Sequence, residues 1–86
     1  MKDILAMWLD EKGMLGVIER KDERFGSSYH PIQADEKRKE MVIINNLWYT
    51  TYTGARHYFR LNTNDYRVSG RMQKVDVVHR ALRESS

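Results

Sequence analysis

Residues 47–63 read LWYTTYTGARHYFRLNT, and this stretch decides the fold that the sequence predicts. Aromatic and β-branched residues, which favour strands, fill residues 47–53 and return in residues 56–63. Between them, Gly54-Ala55 has the composition of a two-residue type II′ turn, which joins antiparallel strands. The sequence therefore predicts a β-hairpin over residues 47–63.

The predicted hairpin has two different faces, because side chains alternate along a strand. Pairing Thr53 with Arg56 collects large apolar residues on one face, which we expect to be the core. The other face alternates tyrosine, threonine and arginine, whose polar groups suit phosphates and base edges. The residues of this face expected to bind nucleic acid are Tyr49, Thr51, Arg56, Tyr58 and Arg60. The open alternative is an ordinary solvated face with cross-strand tyrosine–arginine pairs.

The C-terminal part of the chain carries an excess of arginine. The whole chain has 15 basic and 12 acidic side chains and a formal net charge of +3. Residues 54–86 hold seven of the basic side chains, six of them arginine, and only three acidic ones. Arginine presents a planar fork of donors that matches phosphate and guanine. We expect Arg67 and Arg71 to hold phosphates beside the hairpin, and a solvated basic face is again the alternative.

The first predicted helix covers residues 2–12 and is apolar on every side. Residues 4–9 read ILAMWL, and a helix of this kind is buried on more than one side. In a protein of 86 residues the second covered side suggests a partner helix. We therefore expect a homodimer whose interface contains Leu5, Ala6 and Leu9.

The remaining elements complete a small antiparallel sheet flanked by helices. Strands are predicted over residues 14–21 and 28–34, where Pro31 would make the second an edge or broken strand. Helices are predicted over residues 35–45 and 71–84. The expected fold is α+β in the order αββαββα, with N- and C-terminal helices. The alternative is a three-stranded sheet packed on the C-terminal helix, in which residues 35–53 form one long interrupted strand instead of including the helix over residues 35–45. Either fold forms one domain of residues 1–86, because so short a chain fills only one.

A resemblance to a known family lies in residues 5–13, which read LAMWLDEKG. They resemble the LAGLIDADG signature of homing endonucleases, and the predicted element order is similar to one half of that family's two-fold site. The identical positions are Leu5, Ala6, Asp10 and Gly13. The resemblance implies a helix pair across a two-fold axis and sheets in the DNA major groove. Lys12 stands where the family has its metal-binding aspartate, and lysine cannot ligate Mg²⁺. The implied function is therefore DNA binding without cleavage.

Sequence patterns for catalysis and metal binding are not found. The chain has no cysteine and no Gly-x-x-x-x-Gly-Lys phosphate loop, and its three histidines lack ligand spacing. Neighbouring carboxylates such as Asp10-Glu11 do not share a face of a helix or strand. We expect no catalytic residue, no metal and no cofactor. These patterns favour a protein without catalytic activity over an enzyme. A metal-dependent homing-type endonuclease is the least favoured alternative.

The N-terminal apolar run is too short for a signal peptide or a membrane span, and Asp3 and Asp10 bracket it. We therefore expect a cytoplasmic protein with no membrane partner. The expected function is a small basic module that binds nucleic acid, with double-stranded DNA as the favoured ligand. The alternative is a protein-binding inhibitor or accessory factor of a mobile element such as a phage or plasmid, because tyrosine, tryptophan and arginine also form protein-binding hot spots.

Overall fold

The computed structural model describes residues 4–37, 40–76 and 81–84. These residues form six strands, one short 3₁₀ turn and one α-helix. The strands are β1 (Ile4–Leu9), β2 (Leu15–Asp22), β3 (Gly26–Asp35), β4 (Glu40–Ile43), β5 (Gln73–Val75) and β6 (Ala81–Glu84). The 3₁₀ turn is Ile44–Asn46, and the helix α1 is Tyr52–Leu61.

The six strands form one sheet in the order β5-β1-β2-β3-β4-β6. The pairs β5–β1, β1–β2, β2–β3 and β3–β4 are antiparallel, and the pair β4–β6 is parallel. The chain is thus α+β, but the predicted αββαββα order is wrong, and so is the three-stranded alternative. The described residues contain no helix long and apolar enough to cross a membrane.

The N-terminal segment is a strand, so the predicted helix over residues 2–12 is wrong in the part the structure describes. Strand β1 lies between β5 and β2, and its side chains pack into clusters on both faces of the sheet, Met7 and Leu9 on one face and Trp8 on the other. This explains a run that is apolar at every position. Ala6 and Leu9 are buried inside this chain, whereas Leu5 sits at an irregularity in the β1–β2 register and is 51% exposed. The expected helical dimer surface therefore does not exist, and the homodimer stays a prediction.

Strands β2 and β3 confirm the two strands predicted in this region, but β3 is not an edge strand. It lies between β2 and β4 although it contains Pro31. The Tyr29 N–H donates to the Tyr49 carbonyl, on the side away from β2. Two residues on, the nitrogen of Pro31 faces the same side, beyond the point where β4 ends at Ile43. No ladder hydrogen bond is lost there, so the proline fits an inner strand.

The segment predicted as a helix over residues 35–45 is also extended. Strand β3 continues to Asp35, and β4 follows after a turn, with residues 38–39 outside the described part. Met41 and Ile43 are buried on one face of β4. The 3₁₀ turn follows β4 directly, and its residues Asn45 and Asn46 have φ angles of 50° and 51°, in the left-handed region that asparagine tolerates.

Helix α1 replaces the second half of the predicted hairpin. Thr51 begins it as the N-cap, because its hydroxyl oxygen accepts a hydrogen bond from the Gly54 N–H at 3.0 Å. Ala55 and Phe59, four residues apart, lie on one face and are buried against the sheet. Gly54-Ala55 is therefore the first turn of a helix, and the hairpin prediction is wrong.

The C-terminal segment extends both edges of the sheet instead of forming the predicted helix over residues 71–84. Strand β5 pairs with Met7–Leu9 of β1, and β6 pairs with β4. Both β1 and β4 would otherwise leave a row of backbone donors and acceptors unpaired. Residues 77–80 of that predicted helix lie outside the described residues.

Each face of the sheet carries a buried cluster. Helix α1 covers one of them, which contains Leu15, Val17, Ile44, Ala55 and Phe59. The other cluster contains Met7, Leu9, Ile18, Ile32, Met41 and Ile43, contributed by β1 to β4. No described helix covers this second cluster.

The close contact between β1 and β2 leads to a stability prediction at Gly16. A Cβ atom at Gly16 would overlap the backbone carbonyl of Trp8 on the paired strand. We expect Gly16→Ala to lower the free energy of unfolding by about 1–3 kcal/mol, the usual cost of overpacking. Urea denaturation followed by circular dichroism measures it. Gln33→Ala, at an exposed position of β3, is the control and should change stability by less than about 0.5 kcal/mol. Equal stability of both variants would contradict the close contact.

Candidate nucleic-acid interface

A cavity of about 730 Å³ lies between the C-terminal half of α1 and the segment that follows it, residues 66–72. The segment belongs to no helix or strand and bends at Gly70. The cavity is lined by Arg56, Phe59, Arg60, Thr63, Tyr66, Arg67, Val68, Gly70, Arg71 and Met72. Its size is within the roughly 300–1,000 Å³ typical of small-ligand sites.

Four arginines surround this cavity from two sides. Arg56 and Arg60 are one turn apart on α1, whereas Arg67 and Arg71 come from the facing segment. All four are exposed. No carboxylate of the described residues lies within 4.0 Å of their guanidinium groups, although Arg56 lies over the Tyr52 ring at 5.6 Å. The positive charge at the cavity is therefore not neutralised by a described ion pair.

The floor of the cavity is aromatic and aliphatic. The Phe59 and Tyr66 rings meet edge to face, with centroids 5.9 Å apart. Tyr66 also packs against Tyr58 at 5.8 Å. Burial raises the pKa of Tyr66 above its usual value of 10, and the nearby Tyr58 hydroxyl raises it further. Tyr66 is therefore neutral at physiological pH. Half-buried Val68 and Met72 complete the floor.

The segment opposite α1 is held in place by Asp10, which is only 5% exposed. Its Oδ2 accepts a hydrogen bond from the Ser69 N–H at 3.0 Å, and its Oδ1 accepts one from the Met14 N–H at 3.0 Å. The Glu11 N–H also donates to the Ser69 carbonyl at 2.9 Å. The turn after β1 thus fixes the backbone between Arg67 and Arg71.

Gly70 is required at the centre of this segment. Its φ angle is +67°, and a Cβ atom there would overlap the carboxyl group of Glu11. An L-residue at position 70 would strain the backbone and displace Glu11.

The structure brings four of the seven predicted nucleic-acid-binding residues together at the cavity: Arg56, Arg60, Arg67 and Arg71. Tyr58 lies next to it and supports Tyr66, while its hydroxyl accepts a hydrogen bond from the Asn45 amide at 3.5 Å. Tyr58 therefore helps to build the floor without lining the cavity.

The other two predicted residues lie elsewhere. Tyr49 is half-buried, and its backbone is paired with Tyr29. Burial raises the Tyr49 pKa above its usual value of 10. Thr51 uses its hydroxyl to cap α1. Neither residue lines the cavity.

Sequence reasoning missed Asp10 and the floor residues. Tyr66, Val68 and Met72 lie two and four positions apart, with Arg67 and Arg71 between them, and even spacing is typical of an extended segment with one apolar side. The floor residues could therefore have been found from the sequence. The link from Asp10 to Ser69 has no such signal, because it joins residues 59 positions apart.

A second surface feature lies at the other end of β2, at the turn before β3. Phe25 is 60% exposed and meets the Trp48 ring edge to face at 5.4 Å. The Arg24 guanidinium lies 5.6 Å from the Phe25 ring centre and 6.0 Å from that of Trp48. We call Arg24, Phe25 and Trp48 the aromatic tip.

Asp22 fixes the aromatic tip. Its Oδ1 accepts hydrogen bonds from the Arg24 N–H at 2.8 Å and the Phe25 N–H at 3.0 Å. The hydrogen bond from Arg24 is the main cause that lowers the Asp22 pKa below its usual value of 3.8. The exposed phenylalanine is therefore presented on an ordered turn.

His30 is buried but has a structural role. Its Nδ1 is 2.8 Å from the Leu47 carbonyl, and its Nε2 is 2.8 Å from the Ser28 hydroxyl. A carbonyl only accepts, so Nδ1 carries the proton, and in the neutral ring Nε2 accepts from Ser28. No group of three histidine, aspartate or glutamate side chains among the described residues could hold a metal ion.

Comparisons with protein-family models, with curated protein sequences and with solved structures found no match. The resemblance to the LAGLIDADG family therefore stays a prediction. The helix that the signature implies is not there, because residues 4–9 form β1 and the residues after it form a turn.

The geometry around Asp10 predicts the effect of Asp10→Asn. Both carboxylate oxygens accept backbone N–H groups, so an amide must turn its NH₂ group towards one of those donors. We expect a loss of about 1–3 kcal/mol in unfolding free energy, measured by urea denaturation, and faster hydrogen exchange at the Ser69 amide. Glu36→Gln, in an exposed turn, is the control for losing one negative charge. Unchanged protection of Ser69 would contradict the anchoring role.

Proposed function

We propose that this protein binds nucleic acid through the arginine-lined cavity. The observation that carries the proposal is the convergence of four arginines, unpaired with described carboxylates, on one concave site. Such a site attracts anions and offers up to four guanidinium groups to phosphates. The ligand needs several phosphates to satisfy them, and a nucleic-acid strand provides these at regular spacing.

The aromatic floor supports a nucleic acid over a simple inorganic anion. A phosphate site needs only donors and charge, whereas Tyr66, Val68 and Met72 offer apolar surface between the arginines. Nucleotides combine an anionic backbone with an apolar base face. The mixture of guanidinium groups and apolar surface in one cavity corresponds to that combination.

Binding through the cavity predicts a specific loss in the double variants Arg56→Ala/Arg60→Ala and Arg67→Ala/Arg71→Ala. Fluorescence anisotropy with labelled DNA over about 50–200 mM salt gives the affinity and its salt dependence. We expect each pair to weaken binding roughly tenfold and to flatten the slope of log K against log salt by about 1.5–2 units, because two phosphate contacts are lost.

The control for this experiment is Lys21→Ala/Lys37→Ala, which removes the same charge from two exposed positions that do not line the cavity. The slope should stay close to that of the wild type. If the lysine pair flattens it as much as the arginine pairs do, binding follows overall charge and the cavity is not the site.

A second candidate function is protein binding through the aromatic tip. The observation that favours it is Phe25, which is 60% exposed yet held by Trp48 and by the ordered turn at Asp22. Phenylalanine, tryptophan and arginine are enriched at protein interfaces. A protein-binding accessory factor would use this tip and not the cavity.

Phe25→Ala tests the second candidate with little expected cost in stability, because the ring is largely exposed. We expect a partner held by the tip to lose about 2 kcal/mol, or roughly 30-fold in affinity, as at other hot spots. The assay compares immobilised wild type, Phe25→Ala and Arg56→Ala/Arg60→Ala in nuclease-treated lysate. A partner lost only with Phe25→Ala supports the tip. The same set of proteins on all three rejects it.

A further inference from the structure

We propose that the cavity selects single-stranded over double-stranded nucleic acid, by taking up one unpaired base between the arginines. This inference rests on the proposed function and concerns the same site. The proposed ligand is therefore not the duplex expected from the sequence but a single strand, whose unpaired bases are free to enter a concave site.

The first argument is the shape of the site. The arginines come from two facing elements, α1 and residues 66–72, and the space between them is about 730 Å³. A duplex is read by an element that enters its groove, which requires a protruding helix or ribbon. Here the guanidinium groups border a depression, so a duplex would contact only the rim.

The second argument is the chemistry of the floor. Tyr66 presents a half-buried ring, and Tyr58 and Phe59 pack against it. Stacking on an aromatic ring is available to every unpaired base and is worth roughly 5- to 150-fold in affinity. The guanidinium planes of the rim can stack on a base or bind its phosphate. A base inside the cavity would therefore contact apolar floor and charged rim together.

The third argument is the cost of using a duplex. A paired base reaches the floor only after it leaves the stack, which costs a few kcal/mol. A single strand meets the same arginines without that cost.

The main test uses the wild-type protein with three ligands of about 12 nucleotides, a length within the range of single-strand sites. They are a mixed-sequence single strand, its duplex, and an abasic strand with the same number of phosphates. Anisotropy at about 50 mM salt gives their affinities. We expect the single strand to bind at least about fivefold tighter than either of the others, because only it brings a free base.

A second measurement locates the base. Protein carrying ¹³C-labelled methionine methyl groups is titrated with the single strand and the abasic strand. The Met72 methyl, assigned with Met72→Leu, should shift with the single strand but not with the abasic strand, because a base ring lies next to it. Met7 and Met41, both 1% exposed, are internal references that should not move.

A matched pair of variants tests the ring. Tyr66→Phe keeps the ring and should retain the preference for the single strand. Tyr66→Leu removes the ring and should reduce that preference, with thermal unfolding confirming that the variant is folded. The methyl measurement on the wild type decides the question if the leucine variant does not fold.

The outcomes separate this inference from the proposed function. Equal affinity for all three ligands, or tighter binding of the duplex, overturns single-strand selection but leaves nucleic-acid binding in place. The absence of binding to any of the three at about 50 mM salt overturns both. A preference for the single strand together with an unmoved Met72 methyl places the base elsewhere and overturns the cavity as its site.

Discussion

The carboxylate of Asp10 connects parts of the chain that are 59 residues apart, and the candidate site depends on this connection. One oxygen orders the turn between β1 and β2, and the other holds the backbone at Ser69. The charge of Asp10 is buried without a described ion-pair partner, so it is balanced by backbone N–H groups that point at it. Such an arrangement tolerates little movement, because each donor left unpaired in the interior is costly. The rigid side of the arginine-lined cavity is therefore set by a residue that does not line it.

The sequence showed which residues carry the charge, but it did not show how the chain folds around them. The excess of arginine after residue 54 is a property of composition, so Arg56, Arg60, Arg67 and Arg71 could be selected even though the secondary structure assigned to them was wrong. Tyr49 and Thr51 were selected by strand alternation alone, and neither lines the cavity. Arg56 and Arg60 were taken from the same predicted face, but the arginine excess of residues 54–86 indicates them independently of the hairpin.

The errors in secondary structure have physical causes. Residues 47–53 are rich in strand-forming side chains, and this propensity hid the capping residue Thr51 and the helical spacing of Ala55 and Phe59. At the N-terminus, a short run of apolar residues fits a buried helix and a buried strand equally well by periodicity. Only tertiary pairing decided between them, since β1 has a neighbour on each side. Strands β2 and β3 were predictable because a polar turn around Gly26 separates two short runs, of which the first is apolar and ends in charged residues.

The pairing of β5 with β1 also constrains the order in which the protein folds. Residues 73–75 must reach Met7–Leu9, so one side of β1 stays open until most of the chain is available. Contacts of such long sequence separation slow folding, because loop closure precedes the gain from pairing. During that interval an apolar strand exposes its backbone and can pair with another chain. Until β5 arrives, β1 is therefore open to pairing with another chain, and the β1–β5 pairing closes that edge.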